Sequence, residues 1–145
     1  MDNQKSTRTK RTLLVDDEPD ICMVYQIVLE HAGYQCTSYT DPIIALKGFR
    51  PNYYDLVMLD IKMPKLDGFA LCEKIREVDK TVQIIFITAA EESYYHEQLK
   101  TQYNPELTNH GNMKYIQKPI ENEELVNILD TTIAAKQQVK SSAKA

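Results

Sequence analysis

Residues 55–69 read DLVMLDIKMPKLDGF, and this stretch decides the fold because it carries one carboxylate, Asp60, out of an apolar run. Leu56, Val57, Met58 and Leu59 are continuously apolar, the pattern of a strand covered on both faces in a parallel sheet. Asp60 ends the run. Pro64 cannot donate to a ladder and holds Met63 extended, while Asp67 and Gly68 supply an N-cap and a permissive residue ahead of a helical pattern. The strand therefore stops at Asp60, and a structured loop displays that carboxylate at the edge of the sheet.

Strand and helix patterns alternate on both sides of this stretch. Thr12 to Val15 is an apolar run ending in Asp16-Asp17-Glu18, and Pro19 opens a helix in which Ile21, Val24, Tyr25, Val28 and Ala32 recur at helical spacing before Gly33 stops it. Gln35 to Tyr39 reads as a short strand. Asp41-Pro42 is an N-cap and first-turn proline for a helix with Ile43, Ile44, Leu46 and Phe49 on its apolar side, ended by Pro51 and Asn52. After the central strand, Phe69, Cys72, Ile75 and Arg76 sit on a third helix, and Val82 to Ile87 is a strongly apolar strand ending at Thr88. Glu91 to about Tyr103 is a weakly amphipathic helix, and the turn formers between Asn104 and Asn112 predict an irregular loop. Met113 to Gln117 is the last strand, ending at Lys118-Pro119. Leu125, Ile128, Leu129 and Ile133 mark the last apolar helix face, followed by a disordered polar tail from Gln137 to Ala145.

Five such alternations predict an α/β fold: a doubly wound, five-stranded parallel sheet with right-handed crossovers. In open sheets of this kind the ligand site lies beyond the carboxyl ends of the strands. The 145 residues, 43% hydrophobic and 26% charged, suit one domain, residues 11–136, with a flexible basic tail over residues 1–10. No run reaches the length of a membrane helix, and Met1 to Lys10 lacks the apolar centre of a secretion signal, so a cytoplasmic protein is expected. The net charge of −4 argues against a nucleic-acid binder. Cys22, Cys36 and Cys72 are odd in number and widely spaced, the pattern of buried free thiols rather than of disulfides or a zinc site.

The chemistry lies in the residues that end the strands. Asp16 and Asp17 end the first, Asp60 the third, Thr88 the fourth and Lys118 the fifth, so all five meet at one edge. Three carboxylates against one ammonium leave a surplus of two negative charges, which a divalent cation would neutralise; an all-oxygen donor set favours Mg2+. Any one of these residues alone reads as a helix-start charge, a strand-end hydroxyl or a surface lysine. The constellation carries the argument.

With these pieces in place, the sequence resembles the receiver domain of two-component response regulators. The resemblance rests on LVDDE (14–18), LDIKMPKLDG (59–68), ITA (87–89) and YIQKPI (115–120), and extends over roughly residues 11 to 136. It implies a stand-alone phosphoacceptor of flavodoxin-like topology, strand order 2-1-3-4-5. Asp60 would take a phosphoryl group from a sensor histidine kinase or a phosphotransfer protein. Asp17, Asp60 and the backbone carbonyl of Lys62 would hold Mg2+, with Asp16 acting through water. Lys118 and Thr88 would contact the phosphoryl oxygens, and Tyr115 would be the aromatic that switches rotamer. Lys62 and Ala90 would flank the approach of water, with Lys62 occluding it.

The resemblance further implies a signalling domain rather than an enzyme, catalysing only its own phosphotransfer and dephosphorylation. Its output would pass to a downstream protein, with no nucleic acid or membrane bound, and a homodimer is left open. The segment Tyr103 to Asn112 replaces a short turn and alters the expected output face; it and the neighbouring Tyr94, Tyr95 and Tyr103 are either partner-binding features or core packing. Two other classes fit less well. A flavodoxin-like cofactor carrier needs a glycine- or hydroxyl-rich phosphate loop where Asp16-Asp17-Glu18 stands, and an aspartate-nucleophile phosphatase needs an acid where Lys62 stands. A receiver-like interaction domain that has lost phosphorylation is opposed by the complete site, while the long segment Tyr103 to Asn112 keeps it as a lesser alternative.

Overall fold

A computed structural model describes residues 9–101 and 112–144. Along the chain it has β1 (Arg11–Val15), α1 (Pro19–His31), β2 (Gln35–Tyr39), α2 (Pro42–Gly48), β3 (Leu56–Leu59), α3 (Gly68–Val78), β4 (Gln83–Thr88), α4 (Glu92–Thr101), β5 (Met113–Gln117) and α5 (Asn122–Lys144). The strands form one sheet in the order β2-β1-β3-β4-β5, parallel throughout, as the sequence predicts.

Successive strand residues point to opposite faces, and the core divides accordingly. Leu13, Val15, Val57, Leu59, Ile84 and Phe86 pack on one side with Ala45, Phe69, Leu71 and Ile75 from α2 and α3. Leu14, Leu56, Met58, Ile85 and Ile87 pack on the other with Tyr25 and Leu29 from α1 and with Leu125, Leu129 and Ile133 from α5. Every residue of β3 is buried, so its apolar run needs no polar alternation. The three cysteines are buried and free.

The helix boundaries follow the expected local chemistry. The Asp41 carboxylate accepts from the Ile43 and Ile44 amides and the Asp67 carboxylate from the Ala70 amide, so both predicted N-caps operate. Gly33, at φ +97°, closes α1, and the Tyr34 amide then reaches the Leu29 carbonyl at 2.9 Å.

The structure corrects two readings. Helix α1 buries Cys22, Tyr25 and Leu29, whereas Val24, expected inward, is 51% exposed. This helix is apolar almost all round, so periodicity alone does not set its phase; the Cys22 thiol, donating to the Asp16 carbonyl at 3.1 Å, lies on the side that is buried. Arg76 lies on α3 as expected and is buried there: its guanidinium donates to the carbonyls of Val82 (2.7 Å) and Asn112 (3.2 Å) and to the Asn112 side chain (2.8 Å). Finally, α5 runs past Lys136 to Lys144, where a disordered tail was expected; Ala, Lys and Gln there are good helix formers with no Gly or Pro among them. The basic tail falls on residues 1–10, of which 1–8 lie outside the described residues, as does the segment Tyr103 to Asn112 apart from Asn112 itself.

The phase of α1 is directly testable. Leu29→Ala should cost about 2–5 kcal/mol in denaturant unfolding, whereas Val24→Ala should stay within about 0.5 kcal/mol of the parent. Equal costs would return Val24 to the core.

Candidate functional site

Backbone register brings the predicted residues to one edge. The Asp60 amide continues the ladder by donating to the Val15 carbonyl at 2.9 Å, which sets Asp60 beside Asp16, and the Lys118 amide donates to the Thr88 carbonyl at 2.8 Å. The Lys118–Pro119 peptide is cis. Asp16 (1% exposed), Asp60 (7%) and Thr88 (1%) are buried, and Asp17, Lys118 and Tyr115 are half-buried.

Lys118 Nζ binds Asp16 Oδ2 at 2.9 Å, joining the ends of β1 and β5 across the two strands between them. Asp16 Oδ1 accepts from the Glu18 amide at 3.0 Å, so both oxygens of this buried carboxylate are engaged. Asp60 Oδ1 accepts from the Ile61 amide at 2.8 Å, and the Thr88 hydroxyl also hydrogen-bonds to Asp60. Burial and then the Asp16 charge push the Asp60 carboxyl above its ordinary value, against the pull of Lys118, Thr88 and the Ile61 amide. Burial acts against the Lys118 ammonium, but the bond and charge of Asp16 and the charge of Asp60 outweigh it and hold its pKa above the usual value.

Asp16, Asp17 and Glu18 have ligand oxygens within 4.8 Å of one another. Glu18 was not singled out from the sequence as a ligand; its place directly after two site acids is the only signal the chain offers. The crowded, all-oxygen donor set and the Asp16–Asp60 repulsion fit a small hard cation. Lys62 is exposed in the loop after Asp60, but its ammonium is directed at the ring of Tyr94, 4.5 Å from the centroid. The Tyr115 hydroxyl donates to the Ala90 carbonyl, and its ring stands 4.7 Å from that of Tyr95. Tyr95 is itself buried against Phe69 and Phe86, so of the tyrosines weighed as partner anchors this one belongs to the core.

Gly68 holds the site from below, and its role is steric. Its amide donates to the Ile61 carbonyl at 2.8 Å. A Cβ at this position would stand 2.1 Å from the Asp60 carbonyl oxygen and 2.9 Å from Ile61 Cα. Only glycine lets the start of α3 lie directly on the backbone of Asp60.

The family model described as the response regulator receiver domain matches residues 12–130. The chain belongs to this family. Among its relatives, the probable transcriptional regulator ycf27 of Cyanidium caldarium is 37% identical over 63% of this chain and 36% of its own. The transcriptional regulatory protein RprY of Bacteroides fragilis is 38% identical over 54% of this chain and 34% of its own. This receiver thus spans about a third of the length of these curated relatives. Among solved structures, TrrA of Thermotoga maritima in complex with Mg2+ and a beryllium fluoride is 31% identical at a TM-score of 0.69, over 86% of this chain and 99% of that one. A CheY-like receiver from Methanospirillum hungatei, 23% identical at a TM-score of 0.73 over 90% and 98% of the two chains, shares the fold.

Two outcomes are expected at this receiver's site. Gly68→Ala should destabilise by about 1–3 kcal/mol, read as a fall in the denaturant midpoint at unchanged slope. Asp60 holds its proton more tightly when folded, so its contribution to stability is fullest at low pH and declines as pH rises through the folded pKa. Without divalent cations, Asp60→Asn should therefore unfold at higher denaturant than the parent at neutral pH. That advantage should vanish below the ordinary carboxylate pKa of 3.8; a constant advantage across the range would contradict the assignment.

Proposed function

We propose that Asp60 accepts a phosphoryl group from the phosphohistidine of a sensor histidine kinase or of a phosphotransfer protein, and that the modified domain changes its binding to a downstream protein. The observation that carries this reading is a buried carboxylate ringed by Asp16, Lys118 and Thr88 at the carboxyl edge of a parallel sheet. Asp60 Oδ attacks phosphorus, the histidine N–P bond breaks as the O–P bond forms, and the bonding electrons return to the imidazole. The protein supplies positioning and charge rather than covalent work.

Each residue has a task in this scheme. Lys118, freed in part from Asp16, pairs with one phosphoryl oxygen, and the Thr88 hydroxyl donates to another. Asp17, Asp60 and the carbonyl of Lys62 would hold Mg2+, with Asp16 acting through water and Glu18 within reach of the same ion. Bound there, Mg2+ offsets charge on the transferring group. Movement of Thr88 toward the phosphoryl group would open space for Tyr115, which now donates to the Ala90 carbonyl.

The relatives support a place in phosphorelay signalling. Besides the proteins named as transcriptional regulators, the sensor histidine kinase RcsC of Escherichia coli is 36% identical over 53% of this chain and 8% of its own. A cytoplasmic domain that signals through protein contacts, with a homodimer as one form, completes the proposal. Among the described residues no helix is long and apolar enough to cross a membrane.

Acetyl phosphate with Mg2+ should add one phosphoryl group to the parent, seen by intact mass, and none to Asp60→Asn. Equal labelling of Asp60→Asn would overturn the assignment. Asp17→Ala should raise the Mg2+ concentration needed for labelling more than Asp16→Ala, because a direct ligand outweighs one acting through water.

A further inference from the structure

In the unmodified protein the Lys62 ammonium rests against an aromatic ring. The groups acting on Asp60 are Asp16, Lys118, Thr88 and the Ile61 amide, while the Lys62 ammonium lies 4.5 Å from the centre of the Tyr94 ring. Lys62 belongs to the loop between β3 and α3, and Tyr94 to the first turn of α4. Tyr94 is partly buried and packs on the same core cluster as Tyr115 and Met113, so its ring is a fixed platform while Lys62 is exposed. The contact therefore bridges the segment that carries Asp60 and the helix beside Tyr115.

We propose that Tyr94 is a positioning residue for Lys62: its ring keeps the ammonium outside the site while Asp60 is unmodified and yields it to the phosphoryl oxygens once Asp60 is modified, uncoupling the loop from α4. This rests on phosphorylation of Asp60. An aromatic face attracts a cation only weakly at an exposed position, so the resting contact is easily exchanged. The acyl phosphate adds negative charge and acceptor oxygens, and a pair of unit charges about 4 Å apart in a half-exposed site outweighs a surface cation–π contact severalfold. Lys118 is shared between Asp16 and one phosphoryl oxygen, and Lys65 of the same loop is paired to Asp41 at 2.8 Å, so Lys62, held by an aromatic ring, is the exposed loop cation available to a further phosphoryl oxygen. The ring and not the phenol oxygen makes this contact, so phenylalanine should replace Tyr94 and leucine should not.

Two measurements test it. In the unmodified protein, a double-mutant cycle of Lys62→Met and Tyr94→Leu should show coupling of about two- to fivefold in the unfolding constant, and Tyr94→Phe should keep it; no coupling overturns the contact. Separately, the chain is labelled with fluorotyrosine and treated with acetyl phosphate and Mg2+, with intact mass read on the same sample and the Tyr94 fluorine signal assigned by its loss in Tyr94→Phe. Modification should move the Tyr94 signal in the parent. In Lys62→Met the signal should be displaced beforehand and move little further, while Lys62→Arg should restore the parent response. A phosphorylated parent with a stationary Tyr94 signal, or equal movement in parent and Lys62→Met, overturns the exchange and leaves the phosphoacceptor reading standing. A parent that takes no phosphoryl group overturns that reading and the exchange with it, while the unfolding cycle still decides the resting contact.

Discussion

Two carboxylates, Asp16 and Asp60, stand buried at the ends of adjacent strands, and the architecture of this edge depends on how their repulsion is met. The parallel register of β1 and β3 makes the proximity unavoidable, since Val15 pairs with Leu59 and each acid directly follows. Lys118 meets it from the far side of the sheet, bonded to Asp16 at 2.9 Å. A pair this buried is costly to assemble and more costly to break by removing one partner. It is tolerated because both Asp16 oxygens have donors, from Lys118 and the Glu18 amide. Asp60 is left with less compensation, as its raised pKa reports. Of these two acids, Asp60 is thus the one whose charge an added cation or a covalent modification would relieve.

The fold was legible because each strand announces its end with a polar residue or a turn, and because the apolar run of β3 is too short for a helix and too continuous for a half-exposed strand. Asp41-Pro42 and Asp67-Gly68 marked helix starts through local chemistry that tertiary context did not override. What failed was phase. In α1, Met23, Val24 and Ile27 are apolar and yet more than half exposed, so counting hydrophobic residues could not find the buried stripe. The partners of Arg76 were hidden for a different reason: its burial is set by carbonyls of Val82 and Asn112, the latter distant in sequence, and no local pattern encodes them. Glu18 and the Lys62–Tyr94 contact likewise depend on how loops sit against one another.

The two core layers also explain why the site has firm walls on one side. Gly68 allows α3 to rest on the Asp60 backbone, while Phe69, the next residue, packs 5.2 Å from the ring of Phe86 on β4. The loop after Asp60 is therefore clamped at its far end by an aromatic contact to a neighbouring strand. Its exposed middle carries Lys65 at φ +73°, a left-handed conformation that a side chain adopts at some cost, with the Lys65 ammonium paired to Asp41 at 2.8 Å. Strain and a weak surface ion pair in the middle, with rigid ends, favour a loop that can adjust without disturbing the strand.

On the opposite wall the Ala90 peptide is held from two directions. Its amide donates to the Thr88 hydroxyl at 3.2 Å, and its carbonyl accepts from the Tyr115 hydroxyl. A threonine hydroxyl has one proton to give, and here the Thr88 hydroxyl can give it to Asp60 while accepting from Ala90. The Thr88 hydroxyl thus stands between Asp60 and the Ala90 amide. The carbonyl of the same residue is the anchor of Tyr115, whose ring rests on Tyr95 in α4. The backbone of one alanine thus joins the Thr88 hydroxyl at the end of β4 to Tyr115 and, through its ring, to Tyr95 in α4, which is why no side chain at this position in the sequence could have revealed the connection.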